Sequence, residues 1–143
     1  MKIIFICTGN TCRSPMAEAL AKDYLAKLDI QDIEVESRGI SCVRGDKITP
    51  NAKEALEKNY ISFDHEAMPL SREDIEADYL ICMTKGHEEI LKGNGFDEKL
   101  FTIDDFAHTG DVIDPYGGSL DIYLKTLQQL KEAIPKIISD IQK

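Results

Sequence analysis

The stretch Lys2–Leu20 (KIIFICTGNTCRSPMAEAL) decides the fold, because it predicts a strand, a tight loop and a helix in direct succession. Lys2–Cys7 is a continuous apolar run with β-branched residues, which is typical of a strand buried on both faces. Ser14 is the predicted N-cap of the helix and Pro15 its first helical position. Apolar residues then recur at helical spacing and predict one buried face: Ala17, Leu20, Ala21, Tyr24, Leu25 and Leu28.

The rest of the chain repeats this alternation of strands and helices. Further strands are predicted at Ile33–Ser37, Tyr79–Met83 and Leu100–Ile103. Helices are predicted from Thr49-Pro50 to about Lys58, from Ser71 to Glu76, from Thr84 to near Gly93, and from Ser119 onward. Pro135 lies inside the last helix and should kink or interrupt it. The alternation predicts an α/β fold with a parallel sheet and helices on both faces.

Length and charge limit the possible functions. The 143 residues fit a single domain, residues 1–143, and no linker or repeat divides them. Lys and Arg number 17 against 26 Asp and Glu, a net charge of −9, which argues against nucleic acid as a partner. The longest early apolar run is too short for an export signal or a membrane span, so we expect a cytoplasmic protein without membrane contact. We also expect a monomer.

The four cysteines are not expected to form a disulfide framework, because the cytoplasm keeps thiols reduced. The sequence contains neither a Cys-x-x-Cys pair nor a cysteine–histidine cluster, so we predict no metal site and expect no cofactor. Cys42 and Cys82 are interpreted as structural residues, and Cys82 falls in the middle of a predicted strand. Among the histidines, His108 precedes the segment 110–119 and is the one expected to approach the site.

The segment Cys7–Ser14 is the expected site, because ligands of parallel sheets bind beyond the carboxyl ends of the strands. Backbone N–H groups of such a turn, together with a helix N-terminus, favour an anion. The predicted phosphate-binding residues are therefore Thr8, Gly9, Asn10, Thr11, Cys12, Arg13 and Ser14. Arg13 offers a planar fork for two phosphate oxygens. Cys7 is the predicted nucleophile, and its positive surroundings should lower the pKa of the thiol.

Cleavage of a phosphomonoester or phosphoramidate also needs an acid that protonates the leaving group. Asp114 is the best candidate, since it lies between the last predicted strand and the last helix, where it can reach the same sheet edge. Asp111 is a competing carboxylate, and Asp114-Pro115 is also a common turn signal.

These motifs together resemble one known family. Cys7–Ser14 (CTGNTCRS), with Asp114-Pro115-Tyr116 further on, is similar to the low-molecular-weight protein tyrosine phosphatases. The resemblance covers essentially the whole chain. It implies a three-layer flavodoxin-like fold with four parallel strands in the order 2-1-3-4. It also implies that Cys7 attacks phosphorus, that Arg13 and the loop amides bind the oxygens, and that Asp114 is the acid, without a metal.

The substrate class depends on Thr11, where tyrosine phosphatases of this family usually carry a bulkier aliphatic residue. Threonine there, and the stretches Cys7–Leu20 and Gly110–Tyr123, resemble the bacterial protein-arginine phosphatase branch. A hydroxyl and a carboxylate suit a polar, cationic guanidinium, so we expect phosphorylated proteins as partners and phosphoarginine as the substrate. Phosphotyrosine is the alternative. Tyr116 is the second predicted specificity residue, because Gly39–Arg44 lacks the aromatic residue that the family usually has there.

The resemblance also implies a reversible disulfide between Cys7 and Cys12 that protects the nucleophile from over-oxidation. Cys12 as a simple packing residue is the other interpretation. Two further functions are alternatives, and arsenate reduction is the one that uses a similar loop. Arsenate reduction needs a resolving cysteine pair elsewhere, and Cys82 has no such partner downstream. A phosphocysteine carrier needs neither Arg13 nor Asp114.

Overall fold

The sheet has the predicted four strands, all parallel. The computed structural model describes residues 1–143, and its strands are β1 (Lys2–Cys7), β2 (Glu34–Gly39), β3 (Tyr79–Cys82) and β4 (Leu100–Thr102). They lie in the order β2-β1-β3-β4. The predicted strand order 2-1-3-4 is therefore confirmed.

Three α-helices connect the strands, α1 (Arg13–Lys27), α2 (Pro50–Lys58) and α3 (Lys85–Leu91), and two follow the last strand, α4 (Ile103–Ala107) and α5 (Leu120–Ile141). Short 3₁₀ helices cover Arg72–Glu76 and Asp97–Lys99. Helix α4 was not predicted, because Ile103 was assigned to the last strand. Thr102 ends β4 early, since its Oγ1 accepts from Asp105 N at 3.2 Å and its own N–H donates to Asp105 Oδ2 at 2.8 Å. This capping box starts a helix where the apolar pattern alone continues the strand.

The alternating side chains of β1 separate two cores. Ile3 and Phe5 belong to the larger core, which α1, α2 and α5 cover, while Ile4 and Ile6 belong to the smaller core with Leu91 of α3. Alternation along a strand is expected, because successive side chains point to opposite faces of a sheet. Helices thus cover both faces, and the predicted three-layer α/β architecture is confirmed.

Helix α1 begins two residues earlier than predicted. Arg13 is its first residue and Cys12 occupies the cap position, so the assignment of Ser14 as the N-cap is wrong. Ser14 is fully buried, and its hydroxyl contacts the Cys7 sulfur instead of capping the helix. Every residue from Arg13 to Ala21 is buried. The first half of α1 is therefore enclosed on all sides, and only its second half shows the single buried face that was predicted.

Helix α5 continues through Pro135 to Ile141, so the predicted interruption does not occur. A proline inside a helix removes one N–H donor, here the one that would bond to the carbonyl of Lys131. Ala133, Ile134, Ile137 and Ile138 are buried around it, and their burial holds the helix against the core. Even at 22 residues, α5 is not apolar enough to cross a membrane, and neither is any other helix.

Candidate active site

Asn10 shapes the loop between β1 and α1. Its φ of 54° lies in the left-handed region, and its side chain is fully buried. Its Nδ2 donates to Ser14 Oγ at 2.8 Å and to Ser37 Oγ at 3.0 Å. Its Oδ1 accepts from Met68 N at 2.9 Å. Asparagine tolerates this backbone conformation, and these bonds fix the curl of the loop around Cys7.

A second layer of polar side chains supports Asn10 from behind. Ser37 Oγ donates to Glu18 Oε1 at 2.6 Å, which ties the end of β2 to α1. His65 Nε2 lies 3.0 Å from the carbonyl oxygen of Asn10. Burial lowers the pKa of His65, although the Glu18 carboxylate raises it. A neutral imidazole can donate to the Asn10 carbonyl from Nε2, so the support does not require a charged histidine.

The Cys7 sulfur lies inside this loop and is 3% exposed. Ser14 Oγ is 2.8 Å from it, and Asn10 N–H donates to it at 3.2 Å. Because Ser14 Oγ accepts from Asn10 Nδ2, its own proton is free to point at the sulfur. Both donors therefore stabilise a thiolate at Cys7.

The pKa of Cys7 corrects one prediction. Burial raises the pKa of this thiol above its ordinary value, while the bonds from Ser14 and Asn10 and the charge of Arg13 lower it. The net direction is upward, opposite to the sequence prediction. The sequence shows the positive groups around the cysteine, but it does not show how completely the end of β1 is removed from water.

Arg13 and Asp114 meet beside Cys7. Arg13 Nη2 lies 3.6 Å from Asp114 Oδ2, and Nη1 donates to the carbonyl of Val112 at 3.3 Å. Val112 N–H donates in turn to the carbonyl of Met83 at 3.0 Å, directly after β3. Asp114 Oδ1 accepts from Tyr116 N at 3.1 Å. These bonds bring a carboxylate from far along the chain to the end of β1, as predicted.

Asp111, the competing acid, is held elsewhere. Its Oδ1 accepts from Lys85 N at 2.9 Å, at the start of α3. Asp111 does not line the cavity above Cys7, whereas Asp114 does. The geometry therefore favours Asp114 as the acid.

The cavity has a volume of about 330 Å³. Its lining residues are Cys7, Thr8, Gly9, Asn10, Thr11, Cys12, Arg13, Ser41, Cys42, Val43, Asp46, Asp114 and Tyr116. The predicted specificity residues Thr11 and Tyr116 are among them. Ser14, predicted to bind phosphate, lies behind Cys7 and does not line the cavity, so its contribution is to the sulfur. Cys42 was interpreted as structural, and the structure places it in the wall of the cavity.

His87 is a further residue of the site and was not predicted. Its Nε2 lies 2.8 Å from Thr8 Oγ1, and its Nδ1 lies 3.0 Å from Thr84 Oγ1. Burial and the nearby Arg13 charge lower the pKa of His87 to about 4, so the ring is neutral near pH 7. The position of His87 in the first turn after β3 was the available signal, because that turn meets the same sheet edge as Cys7. His108, expected to approach the site, ends α4 and does not line the cavity.

Cys12 is buried beneath the loop. Its sulfur lies 3.4 Å from Tyr123 Oη and 3.6 Å from Thr49 Oγ1. All four cysteines are free thiols. The redox pairing of Cys7 with Cys12 stays a prediction.

A buried cysteine within a loop of amide donors, with an arginine and a carboxylate on the same cavity, defines the class of phosphatases that act through a cysteine nucleophile. Residues 2–143 match the family described as low molecular weight phosphotyrosine protein phosphatase, and the chain belongs to that family.

Three relatives show how far the similarity extends. A protein-arginine-phosphatase of Bacillus subtilis is 40% identical over 148 residues, covering 100% of this chain and 98% of the relative. The low molecular weight protein-tyrosine-phosphatase PtpB of Staphylococcus aureus is 33% identical over 139 residues, covering 96% of each chain. A solved structure of YwlE arginine phosphatase, a Cys-to-Ser mutant with a phosphorylated active site serine, has a TM-score of 0.93 at 39% identity and covers 100% of this chain and 97% of its own.

Proposed function

We propose that this protein hydrolyses phosphoarginine in proteins through a phosphocysteine intermediate at Cys7. The observation that carries the proposal is the placement of Thr11, whose half-buried side chain lines the cavity together with Cys7, Arg13 and Asp114. The protein-arginine-phosphatase relative supports it, because the similarity covers the whole chain.

The proposed reaction has two steps. The Cys7 thiolate attacks phosphorus and forms the S–P bond, while the P–N bond to the guanidinium breaks and the leaving nitrogen takes a proton from Asp114. Water then attacks the phosphocysteine, and Asp114 accepts its proton. The S–P bond breaks, so the thiolate and inorganic phosphate are released. Arg13 and the loop amides stabilise the charge on the equatorial oxygens in both steps.

The geometry of Asp114 supports its role in this scheme. Its carboxylate is 59% exposed, so water can reach it for the second step, while Arg13 and the Tyr116 amide hold it over the loop. Cys7 itself is shielded from bulk water. A buried nucleophile under an accessible acid fits a covalent intermediate that is formed first and hydrolysed second.

Thr11 supports phosphoarginine over phosphotyrosine. In phosphoarginine the guanidinium is bonded directly to phosphorus, so a polar cation must enter the part of the cavity that an aryl ring occupies in phosphotyrosine. A hydroxyl at Thr11 can accept a hydrogen bond from that cation, whereas an aliphatic side chain cannot. Hydrolysis of phosphotyrosine is the second candidate function. The Tyr116 ring, 73% exposed at the cavity, favours it because an aromatic side chain can pack against an aryl leaving group.

Arsenate reduction and a carrier function have less support. Cys82 is fully buried, and burial raises the pKa of its thiol to about 12, which does not suit a resolving cysteine. The pairing of Arg13 with Asp114 supports a hydrolase over a phosphocysteine carrier.

We also propose that residues 1–143 act as one phosphatase domain and as a monomer. Cys7 and Asp114 stand more than a hundred residues apart, and both line a cavity built from one chain. The four free cysteines support a cytoplasmic location, where thiols stay reduced.

Phosphate release from a phosphoarginine-containing protein tests the proposal directly. The purified wild-type protein should release inorganic phosphate without any partner, and Cys7→Ser should release none. A wild-type protein that acts only on phosphotyrosine would assign it to the second candidate function. No release from either substrate would contradict both.

A further inference from the structure

The connection after β2 forms one wall of the cavity, and we call residues 40–47 the rim loop. Ser41, Cys42, Val43 and Asp46 of this loop line the cavity. From the sequence, this loop lacks the aromatic residue that is usual in the family. The structure shows that a carboxylate, Asp46, is part of the wall instead.

The rim loop is held in place by its backbone. Ile40 N–H donates to the carbonyl of Cys7 at 2.9 Å, and Ser41 N–H donates to that of Thr8 at 3.0 Å. At the other end, Gly45 N–H donates to the carbonyl of Ala67 at 2.9 Å, and Ala67 N–H donates to that of Asp46 at 2.7 Å. Asp46 is therefore fixed by its main chain, and its side chain is not needed for the fold of the loop.

The Asp46 carboxylate has no cationic partner in the protein. It is exposed and takes part in none of the ion pairs. Its negative charge nevertheless reaches the cavity wall, since after burial and the neighbouring Cys7 it is one of the groups that raise the pKa of Cys42, while Arg44 of the same loop lowers it. An unpaired charge beside a binding cavity is available to a charged ligand.

Asp46 and Asp114 approach the cavity from different sides. Strands β2 and β3 flank β1 on opposite sides. Asp46 follows β2, whereas the loop of Asp114 is anchored through Val112 to Met83 after β3. A group bonded to a phosphoryl group in the loop would stand between the two carboxylates.

The charge balance of the cavity distinguishes the leaving groups. Arg13 is the one cationic residue among the lining residues, and in the proposed reaction it holds the phosphoryl oxygens. Asp114 carries the proton for the leaving nitrogen in the first step, so Asp46 is the charged carboxylate that remains near the leaving group. This arrangement of charge suits a positively charged guanidinium, whereas a neutral aryl ring forms no ion pair with it.

We propose that Asp46 is a specificity-determining residue that pairs with the guanidinium of phosphoarginine on the side opposite Asp114. This inference rests on the proposed function and deepens it. Asp46 takes no part in the proton transfers, so its contribution is to binding.

The test compares wild type, Asp46→Asn, Asp46→Lys and the control Asp32→Asn. Asp32 is exposed between α1 and β2, at the end of the sheet away from Cys7, so its substitution removes the same charge far from the cavity. The substrates are an amino- and carboxyl-blocked phosphoarginine and p-nitrophenyl phosphate. The blocked amino acid has no neighbouring residues, so a basic residue elsewhere in a substrate cannot account for the effect.

The measured quantity is the ratio of kcat/KM for blocked phosphoarginine to kcat/KM for p-nitrophenyl phosphate. Loss of a carboxylate also reduces repulsion of every phosphate, and the ratio removes that common effect. Asp46→Asn should lower the ratio by about 2- to 5-fold, as expected for one exposed ion pair, mainly through KM. Asp46→Lys should lower it further, and Asp32→Asn should leave it unchanged. The effect should shrink at high salt, which a purely structural role would not produce.

An unchanged ratio in both Asp46 variants, with a wild type that hydrolyses phosphoarginine, would overturn the role of Asp46 and leave the proposed function standing. An equal fall in Asp32→Asn would also overturn it, because the effect would then come from net charge. A wild type without activity on phosphoarginine would contradict the proposed function itself.

Discussion

At the scale of single residues, the environment of Cys7 carries the chemistry. Its thiol is buried, and burial raises its pKa, while Ser14 and the Asn10 amide donate to the sulfur. The position of the nucleophile was predictable, because Cys7 ends an apolar strand and Arg13 follows in the same loop. The net direction of its pKa shift was not predictable, since it depends on how completely the rest of the fold buries the loop.

Ser14→Ala should raise the pKa of Cys7 further. Only the thiolate reacts with an alkylating agent, so the rate of alkylation rises with pH through the pKa of Cys7. Losing the Ser14 donor removes stabilisation of the thiolate, and the rise should move to higher pH. Iodoacetamide inactivation measured against pH checks this, in a background with Cys12→Ser and Cys42→Ser because both of these cysteines also line the cavity. A profile that stays in place would mean that Ser14 does not donate to the sulfur.

Asp114→Asn should slow the reaction most where the leaving group needs a proton. General acid catalysis is worth about 10²- to 10⁴-fold, so kcat on an alkyl phosphate or phosphoarginine should fall by about 10²-fold or more. A nitrophenolate leaves without protonation, so kcat on p-nitrophenyl phosphate should fall less. Asp111→Asn is the matched control, because Asp111 bonds to Lys85 N away from the cavity. A larger effect of Asp111→Asn on these rates would reverse the assignment of the acid.

At the scale of elements, local sequence signals predicted well where they acted alone. The bounds of β1 and the start and end of α2 agree with the predictions. The failures all involve a second interaction. Ser14 bonds to Cys7 instead of capping α1, the capping box at Thr102 starts α4 early, and buried neighbours carry α5 through Pro135. The capping box at Thr102 is a local signal, and the apolar pattern of the strand outweighed it. The contact of Ser14 with Cys7 and the burial around Pro135 depend on the tertiary fold and cannot be read from a short window of sequence.

The end of β2 has to pass close to the phosphate loop, and Gly39 makes this possible. A Cβ at Gly39 would come within 2.8 Å of the Thr8 carbonyl oxygen and of the Cys42 side chain. Gly39→Ala should therefore destabilise the protein by about 1–3 kcal/mol through overpacking, and it should lower activity by displacing Thr8. Urea denaturation and kcat/KM measure the two effects.

Gly86→Ala is the control for that substitution. Gly86 lies in α3, and the nearest atom to its added Cβ would be Thr84 Oγ1 at 3.6 Å. Alanine in a helix is favoured over glycine by about 0.5–1 kcal/mol, so this variant should be as stable as wild type or more stable. Equal stability of Gly39→Ala and Gly86→Ala would show that the end of β2 can move away from the phosphate loop without cost, and would contradict this prediction.

At the scale of the whole molecule, the fold brings distant parts of the chain to one cavity. Cys7 and Arg13 come from the first turn of the fold, Asp46 from the connection after β2, and Asp114 from the connection before α5. The sequence predicted the edge of the sheet at which they meet. It did not predict the wall made by residues 41–46, because that connection has no regular pattern and its path is set by backbone bonds to Thr8 and Ala67. The place of His87 in the first turn after β3 pointed to the same edge, but its contact with Thr8 depends on the packing of α3.

The central claim is that Thr11 directs this cavity to phosphoarginine, and one comparison tests it most directly. We would measure kcat/KM on phosphoarginine and phosphotyrosine peptides of the same sequence, for wild type and Thr11→Ile. Isoleucine removes the hydroxyl from the cavity wall and adds apolar surface. The wild type should prefer phosphoarginine, and Thr11→Ile should shift the preference towards phosphotyrosine. A wild type that prefers phosphotyrosine, or a Thr11→Ile variant with an unchanged ratio, would contradict the claim.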